Sequence, residues 1–153
     1  MIELKRILAP TDFSEYSQIA LQYAVELADR FGAELHLFSV LDDTTPLFAD
    51  PEMMAIDEFV LQQEAAIRQQ LDQQPAPPWN EKLAIVRQMR TGSPFFEIIR
   101  YAKENAIDLI VVGTHGRSGL SHVLLGSVAE KVIRKSPCPV LTVRHPEHEF
   151  VMP

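Results

Sequence analysis

Leu109-Ile110-Val111-Val112-Gly113-Thr114-His115-Gly116 opens with four consecutive apolar residues and then breaks on glycine. The run is strand-sized, and apolar side chains at successive positions suit a strand covered on both faces, as in the middle of a parallel sheet. Reading outward from it, short apolar runs alternate with stretches of helical periodicity, and that alternation predicts parallel strands joined by covering helices.

Toward the C-terminus, 113–125 is a glycine-punctuated loop, Ser127–Lys135 a short helix stopped by Pro137, and Val140–Val143 a fifth strand. His145–Pro153 has no periodicity and is left unassigned. Toward the N-terminus, Ser93 as N-cap and Pro94 at the first helical position start a helix with Phe95, Ile98, Ile99 and Ala102 as its inner stripe. Leu83–Met89 alternates like a partly exposed third strand. Before it, Pro75-Ala76-Pro77-Pro78 breaks a helix running from about Glu52 to Gln73, and Asp42–Pro51 is irregular. Leu35–Leu41 is the second strand, expected to be less buried than the first because His36 and Ser39 interrupt it. Helix one, Ser14–Phe31, carries Ile19, Ala20, Tyr23, Ala24, Leu27, Ala28 and Phe31 at three- and four-residue spacing and ends at Gly32. Ile7–Ala9 is the first strand. His36 is read as a packing histidine within its strand.

Composition bounds the function. With 153 residues, 46% hydrophobic and 23% charged, the chain has the profile of one globular domain, 1–153. A net charge of -7 with scattered Lys and Arg argues against a nucleic-acid surface, which clusters cations against phosphates. No apolar run approaches the ~20 residues of a membrane span, and the N-terminus lacks a secretory h-region, so a cytoplasmic protein is expected. The single cysteine, Cys138, has no partner for an internal disulfide and is read as a half-buried packing residue.

The chemistry-bearing pattern is Gly113-x-x-Gly116, nine residues, then Gly126-Ser127, lying between the buried strand and a helix. Glycines let backbone approach a bulky anion, and the first N–H groups of a helix, with its positive dipole end, point at one. Gly126, Ser127, Val128 and Ala129 supply those donors. Open parallel sheets bind ligands beyond the carboxyl ends of their strands, where strand order reverses. If strands one and four are neighbours, Asp12 and the glycine loop flank one crevice; Asp12 either caps helix one or meets a ligand hydroxyl. His115, Arg117 and His122 are the cations of the loop; there is no P-loop lysine and no His or Cys set with metal-ligand spacing.

The phrases Ile7-Leu8-Ala9-Pro10-Thr11-Asp12, Val111 to Gly119, Leu125-Gly126-Ser127-Val128-Ala129-Glu130-Lys131-Val132 and Cys138-Pro139-Val140 resemble the universal stress protein family, in its ATP-binding branch. The resemblance covers nearly the whole chain. It implies an adenine-nucleotide alpha-hydrolase-like fold, an open five-stranded parallel sheet in the order 3-2-1-4-5 with helices on both faces, and homodimers. It also implies ATP, ADP or AMP between strands one and four, with Mg²⁺ able to accompany ATP. By the family pattern, Pro10, Thr11, Asp12, Val40 and Val112 line the adenosine pocket, while Gly113, Gly116, Gly126, Ser127 and Val128 hold the phosphates. Ala129 offers no hydroxyl where some members have one. The expected output is regulatory, with no catalytic residues assigned. The rivals are a slow ATPase or self-phosphorylating protein using Ser118, Ser121 or Ser127, and a nucleotide-free interaction dimer. With the fifth strand at a sheet edge and none of Val140-Leu141-Thr142-Val143 charged, dimerisation through that strand is expected.

Overall fold

A computed structural model of the chain describes residues 1–44, 56–116 and 125–146. The elements run β1 (Arg6–Pro10), α1 (Glu15–Phe31), β2 (Glu34–Asp42), α2 (Ile56–Asp72), α3 (Trp79–Lys82), β3 (Ile85–Gly92), α4 (Pro94–Glu104), β4 (Leu109–Gly113), α5 (Ser127–Lys135) and β5 (Val140–Val143). The five strands form one sheet in the order β3-β2-β1-β4-β5, and every pairing is parallel. α1 and α2 cover one face and α4 and α5 the other. The chain winds from β1 outward to β3 and then returns to the far side of β1, so strand order reverses between β1 and β4. That is the position at which doubly wound sheets leave a crevice.

The strands are continuous apolar runs because both faces are covered: Ile7, Leu8, Leu35, Leu37, Phe38, Ile110 and Val111 are fully buried. β2 overturns the expectation that it would be less buried than β1. It lies between β1 and β3, and both residues that interrupt it are inside, His36 at 4% exposure and Ser39 at 3%. His36 tolerates this because its ring nitrogens meet Tyr101 Oη and Glu34 Oε1, both at 2.8 Å. A buried imidazole with both nitrogens satisfied is a packing residue.

α1 begins at Glu15, with Ser14 as its N-cap accepting from Ser17 N, and ends on Gly32 at φ +63°. Its buried stripe is Ser17, Ala20, Leu21, Ala24, Val25 and Ala28, rotated from the expected one, with Tyr23 and Phe31 outside. Small residues on the inner face bring this helix close to β1 and β4. β3 is an edge strand as expected, but runs over Ile85–Gly92, where Leu83–Met89 was anticipated. The intervening turn α3, with Lys82 over the Trp79 ring, takes up Leu83 as its C-cap. The helix expected from Glu52 is described from Ile56 onward, and Met53 and Met54 lie outside the described residues.

Ser93 is the N-cap of α4 but makes no side-chain cap bond, and Glu97 N donates to its carbonyl instead. Glu97 itself is buried at the sheet end of this helix, sharing Arg90 and Arg100 with Glu104. Burial opposes the charge on Arg90, but hydrogen bonds and attraction to Glu104 and Glu97 outweigh it and hold its pKa above the ordinary value. Its hydrogen bond is likewise the main reason that Glu104 lies below the usual carboxylate range. Cys138 is half-buried, and burial pushes its thiol up. Among the described residues no helix is long and apolar enough to cross a membrane.

Candidate functional site

Three segments converge at the carboxyl ends of β1 and β4: the β1–α1 turn, the stretch after β4, and the start of α5. The turn is fixed by its own side chains. Phe13 N donates to Thr11 Oγ1 at 3.0 Å, Ser14 N donates to Asp12 Oδ1 at 3.0 Å, and Ser17 Oγ donates to the Ser14 carbonyl at 2.9 Å. Thr11 and Ser17, both buried, also share a hydroxyl contact of 3.1 Å. Asp12 is therefore not the cap of α1, a place taken by Ser14. One of its oxygens closes the turn, and the other faces the loop after β4.

The glycines show how tightly that loop comes down. A Cβ on Gly116 would stand 2.6 Å from Asp12 Oδ2, and one on Gly113 would stand 2.8 Å from the Tyr16 carbonyl oxygen on α1. The Gly113 contact is with backbone and admits no side chain, so glycine there is set by close approach to the chain itself, whereas at Gly116 only the tip of the Asp12 carboxylate would have to move. Gly126 closes the third side: its N–H donates to the Thr114 carbonyl at 2.6 Å, and a Cβ there would lie 3.1 Å from the same oxygen. Thr114, buried, is anchored in turn by donating its N–H to Val143 on β5.

Gly126 is the N-cap of α5 and has no side chain, so the cap position itself supplies no oxygen to the first N–H groups of the helix. Ser127 and Val128 are exposed beside it. Val40 and Val112, at the carboxyl ends of β2 and β4, sit on the α4–α5 side of the sheet, and Pro10 is half-buried at the end of β1. The structure thus brings Asp12, Gly113, Gly116 and Gly126 together beyond the carboxyl ends of β1 and β4, with Pro10, Val40 and Val112 at the strand ends. The Thr11 hydroxyl is engaged with the turn and its N–H donates to the Phe38 carbonyl at 2.8 Å, so Thr11 serves to fix the end of β1. Arg117, Ser118, Ser121 and His122 lie outside the described residues.

Two residues of this arrangement carry no motif in the sequence. Tyr16 stands with its ring 5.3 Å from that of His115 and 5.6 Å from that of His145, while its carbonyl backs Gly113. His145 Nε2 meets Glu15 Oε1 at 2.9 Å, tying the segment after β5 to the first turn of α1. The available signal was position alone, since Tyr16 falls within the first turn after Asp12. Among the described residues no group of three His, Cys, Asp or Glu side chains could hold a metal ion.

A parallel sheet in this order, with glycines brought together where the order reverses, defines the adenine-nucleotide alpha-hydrolase-like class of doubly wound folds. Residues 3–144 match the model of the universal stress protein family, and the chain belongs to that family. It is 38% identical over 147 residues to universal stress protein MJ0531 of Methanocaldococcus jannaschii, covering 95% of this chain and 85% of that one. The solved structure of protein MJ0577 from the same organism superposes with a TM-score of 0.79 at 31% identity, covering 95% of this chain and 99% of the other. A universal stress protein solved in complex with cAMP superposes with a TM-score of 0.63 at 26% identity, over 94% of this chain and 98% of that one.

Proposed function

We propose that this chain is a cytoplasmic regulatory protein that binds an adenine nucleotide, ATP foremost, between β1 and β4, and that works as a homodimer. The observation that carries the reading is the α5 N-terminus, which has no side-chain cap and is held beside Asp12 by the Gly126–Thr114 hydrogen bond. Free N–H donors and a helix dipole at a topological switch point are what a phosphate requires. Gly113, Gly116, Gly126, Ser127 and Val128 hold the phosphates, while Pro10, Thr11, Asp12, Val40 and Val112 line the adenosine side, with Asp12 toward the ribose hydroxyls. The cAMP-bound relative supports an adenine ligand for this fold. Dimerisation through β5 is supported by its place at the sheet edge and by the exposure of Leu141 on that strand.

Calorimetry and thermal melting with ATP, ADP, AMP and cAMP test this. A ligand present at a hundredfold excess over Kd stabilises the folded state by about 2.7 kcal/mol. For a chain of this length that is a rise of about 5–10 °C in Tm. Gly126→Asp places a carboxylate where it can cap α5 itself, so nucleotide binding is lost, and urea unfolding of the variant separates this from the effect of its new Cβ, 3.1 Å from the Thr114 carbonyl oxygen. Asp12→Ala weakens binding by about 1–3 kcal/mol, the value of a hydrogen bond to a charged group. Wild-type affinity in Gly126→Asp, or no heat with any of the four nucleotides, overturns the assignment.

A further inference from the structure

The two faces of the sheet carry opposite charge. On one side α1 has Glu15, Glu26 and Asp29 against Arg30, and α2 has Asp57, Glu58, Glu64 and Asp72 against Arg68. On the other, α4 and α5 together set Arg100, Lys103, Lys131, Arg134 and Lys135 against Glu97, Glu104 and Glu130. In a chain of net charge -7 the α4–α5 face is thus a cationic island.

That island is also grooved and apolar. Phe95, Phe96, Ile99, Arg100, Lys103 and Lys135 line one surface depression along α4 and the end of α5. Phe96 is 54% exposed, and the Lys131 ammonium lies 4.8 Å from the Phe95 ring centre. Glu97 and Glu104 are occupied by Arg90 and Arg100, and Glu130 by Arg134. Among the described residues this leaves Lys103, Lys131 and Lys135 without a carboxylate partner, and of these Lys131 lies over the Phe95 ring. The matching feature stands on the opposite face of the same chain. Leu61 of α2 is 65% exposed, the highest value for a large apolar side chain within any described helix, and Glu58 and Glu64 lie one turn before and after it.

We propose that the α4–α5 groove is a docking surface for α2 of a second copy, with Leu61 seated against Phe95, Phe96 and Ile99 and Glu58 and Glu64 set toward Lys103 and Lys135. Groove and helix lie on opposite faces of the sheet, so one pair of molecules cannot exchange both contacts. The contact is heterologous and propagates from copy to copy, unlike a closed two-fold pairing along β5. An interface of one helix in one short groove is small, so it is a weak, salt-sensitive association that adds to any dimer and needs no nucleotide.

Sedimentation velocity tests this from about 10 to about 500 µM protein, at salt concentrations that shorten the Debye length from about 20 Å to about 4 Å. Wild type should rise by about twofold or more in weight-average mass with concentration in low salt, and stay flat in high salt. A groove-acidic variant, Lys103→Glu with Lys135→Glu, and a helix-basic variant, Glu58→Lys with Glu64→Lys, should each stay flat. Their equimolar mixture should recover the rise, because each groove then faces an α2 of opposite charge. Leu61→Asp, a single exposed change, gives the same loss without touching any lysine. The series repeated on Leu141→Asp protein removes the β5 pairing from the readout. A wild type flat in low salt, variants that rise as wild type does, or a mixture that stays flat overturns the proposal.

Discussion

Gly113 and Gly116 separate stability from binding, and alanine at each should fail in a different way. At Gly113 the added methyl would stand 2.8 Å from the Tyr16 carbonyl oxygen and 3.0 Å from its carbon, both backbone atoms in the first turn of α1. Helix or strand must move, and overpacking of this kind costs about 1–3 kcal/mol. Removing glycine also stiffens the unfolded chain, which returns about 0.4–1 kcal/mol. The expected net loss is about 1–2 kcal/mol, or about 2–8 °C in Tm for a chain of this size. At Gly116 the methyl would meet only the Asp12 carboxylate, whose tip can swing aside. Gly116→Ala should therefore stay within about 1 kcal/mol of wild type in stability, while displacing the carboxylate assigned to the ligand and weakening nucleotide binding by about 1–3 kcal/mol. Urea unfolding of the ligand-free proteins, paired with calorimetric titration of ATP, reads both quantities. A Gly113→Ala protein as stable as wild type, or a Gly116→Ala protein that loses stability but keeps its affinity, would refute the reasoning.

Leu141→Asp should give monomers in sedimentation equilibrium at low micromolar concentration; an intact dimer in the variant would move the interface away from β5. Arg90→Gln leaves the buried Glu97 with Arg100 alone and should destabilise the protein by about 1–3 kcal/mol in urea at neutral pH. The same substitution alters the acid limb. Glu104 has its folded-state pKa depressed, chiefly by Arg90, so its contribution is present above the ordinary Glu value of about 4.3 and is lost as pH falls below it. The variant should accordingly show a shallower decline of stability below that pH than wild type, and identical slopes would remove Arg90 as the cause.

The fold was legible because parallel strands advertise themselves. Leu109–Val112 reads as buried on both faces from composition alone, and Ile110, Val111 and Val112 are buried, with Leu109 half-buried at the strand's start. The spacing of Gly113, Gly116 and Gly126 was legible too, and the fold brings these glycines close to Asp12, Tyr16 and Thr114. What escaped depends on partners distant in sequence. His36 looked like an interruption because nothing local shows that Tyr101, 65 positions on, supplies its second hydrogen bond. Tyr23 and Phe31 looked buried because α1 has apolar residues on more than one face, and the sheet selected the stripe rich in alanine. Tyr16 could not be singled out, since its role lies in a carbonyl behind Gly113 and in rings contributed by β4 and β5 connections.

The bond from Gly126 N–H to the Thr114 carbonyl has a practical corollary for anyone engineering the chain. It fastens the two ends of the 115–125 stretch together at the base, so the length of what lies between is decoupled from where α5 starts. Closing a loop costs only about 0.6 kcal/mol more for each doubling of its length. The same bond hangs the start of α5 on the sheet itself, through Thr114 and its own bond to Val143, so that a change at the end of β5 is passed to the first turn of the helix across two hydrogen bonds.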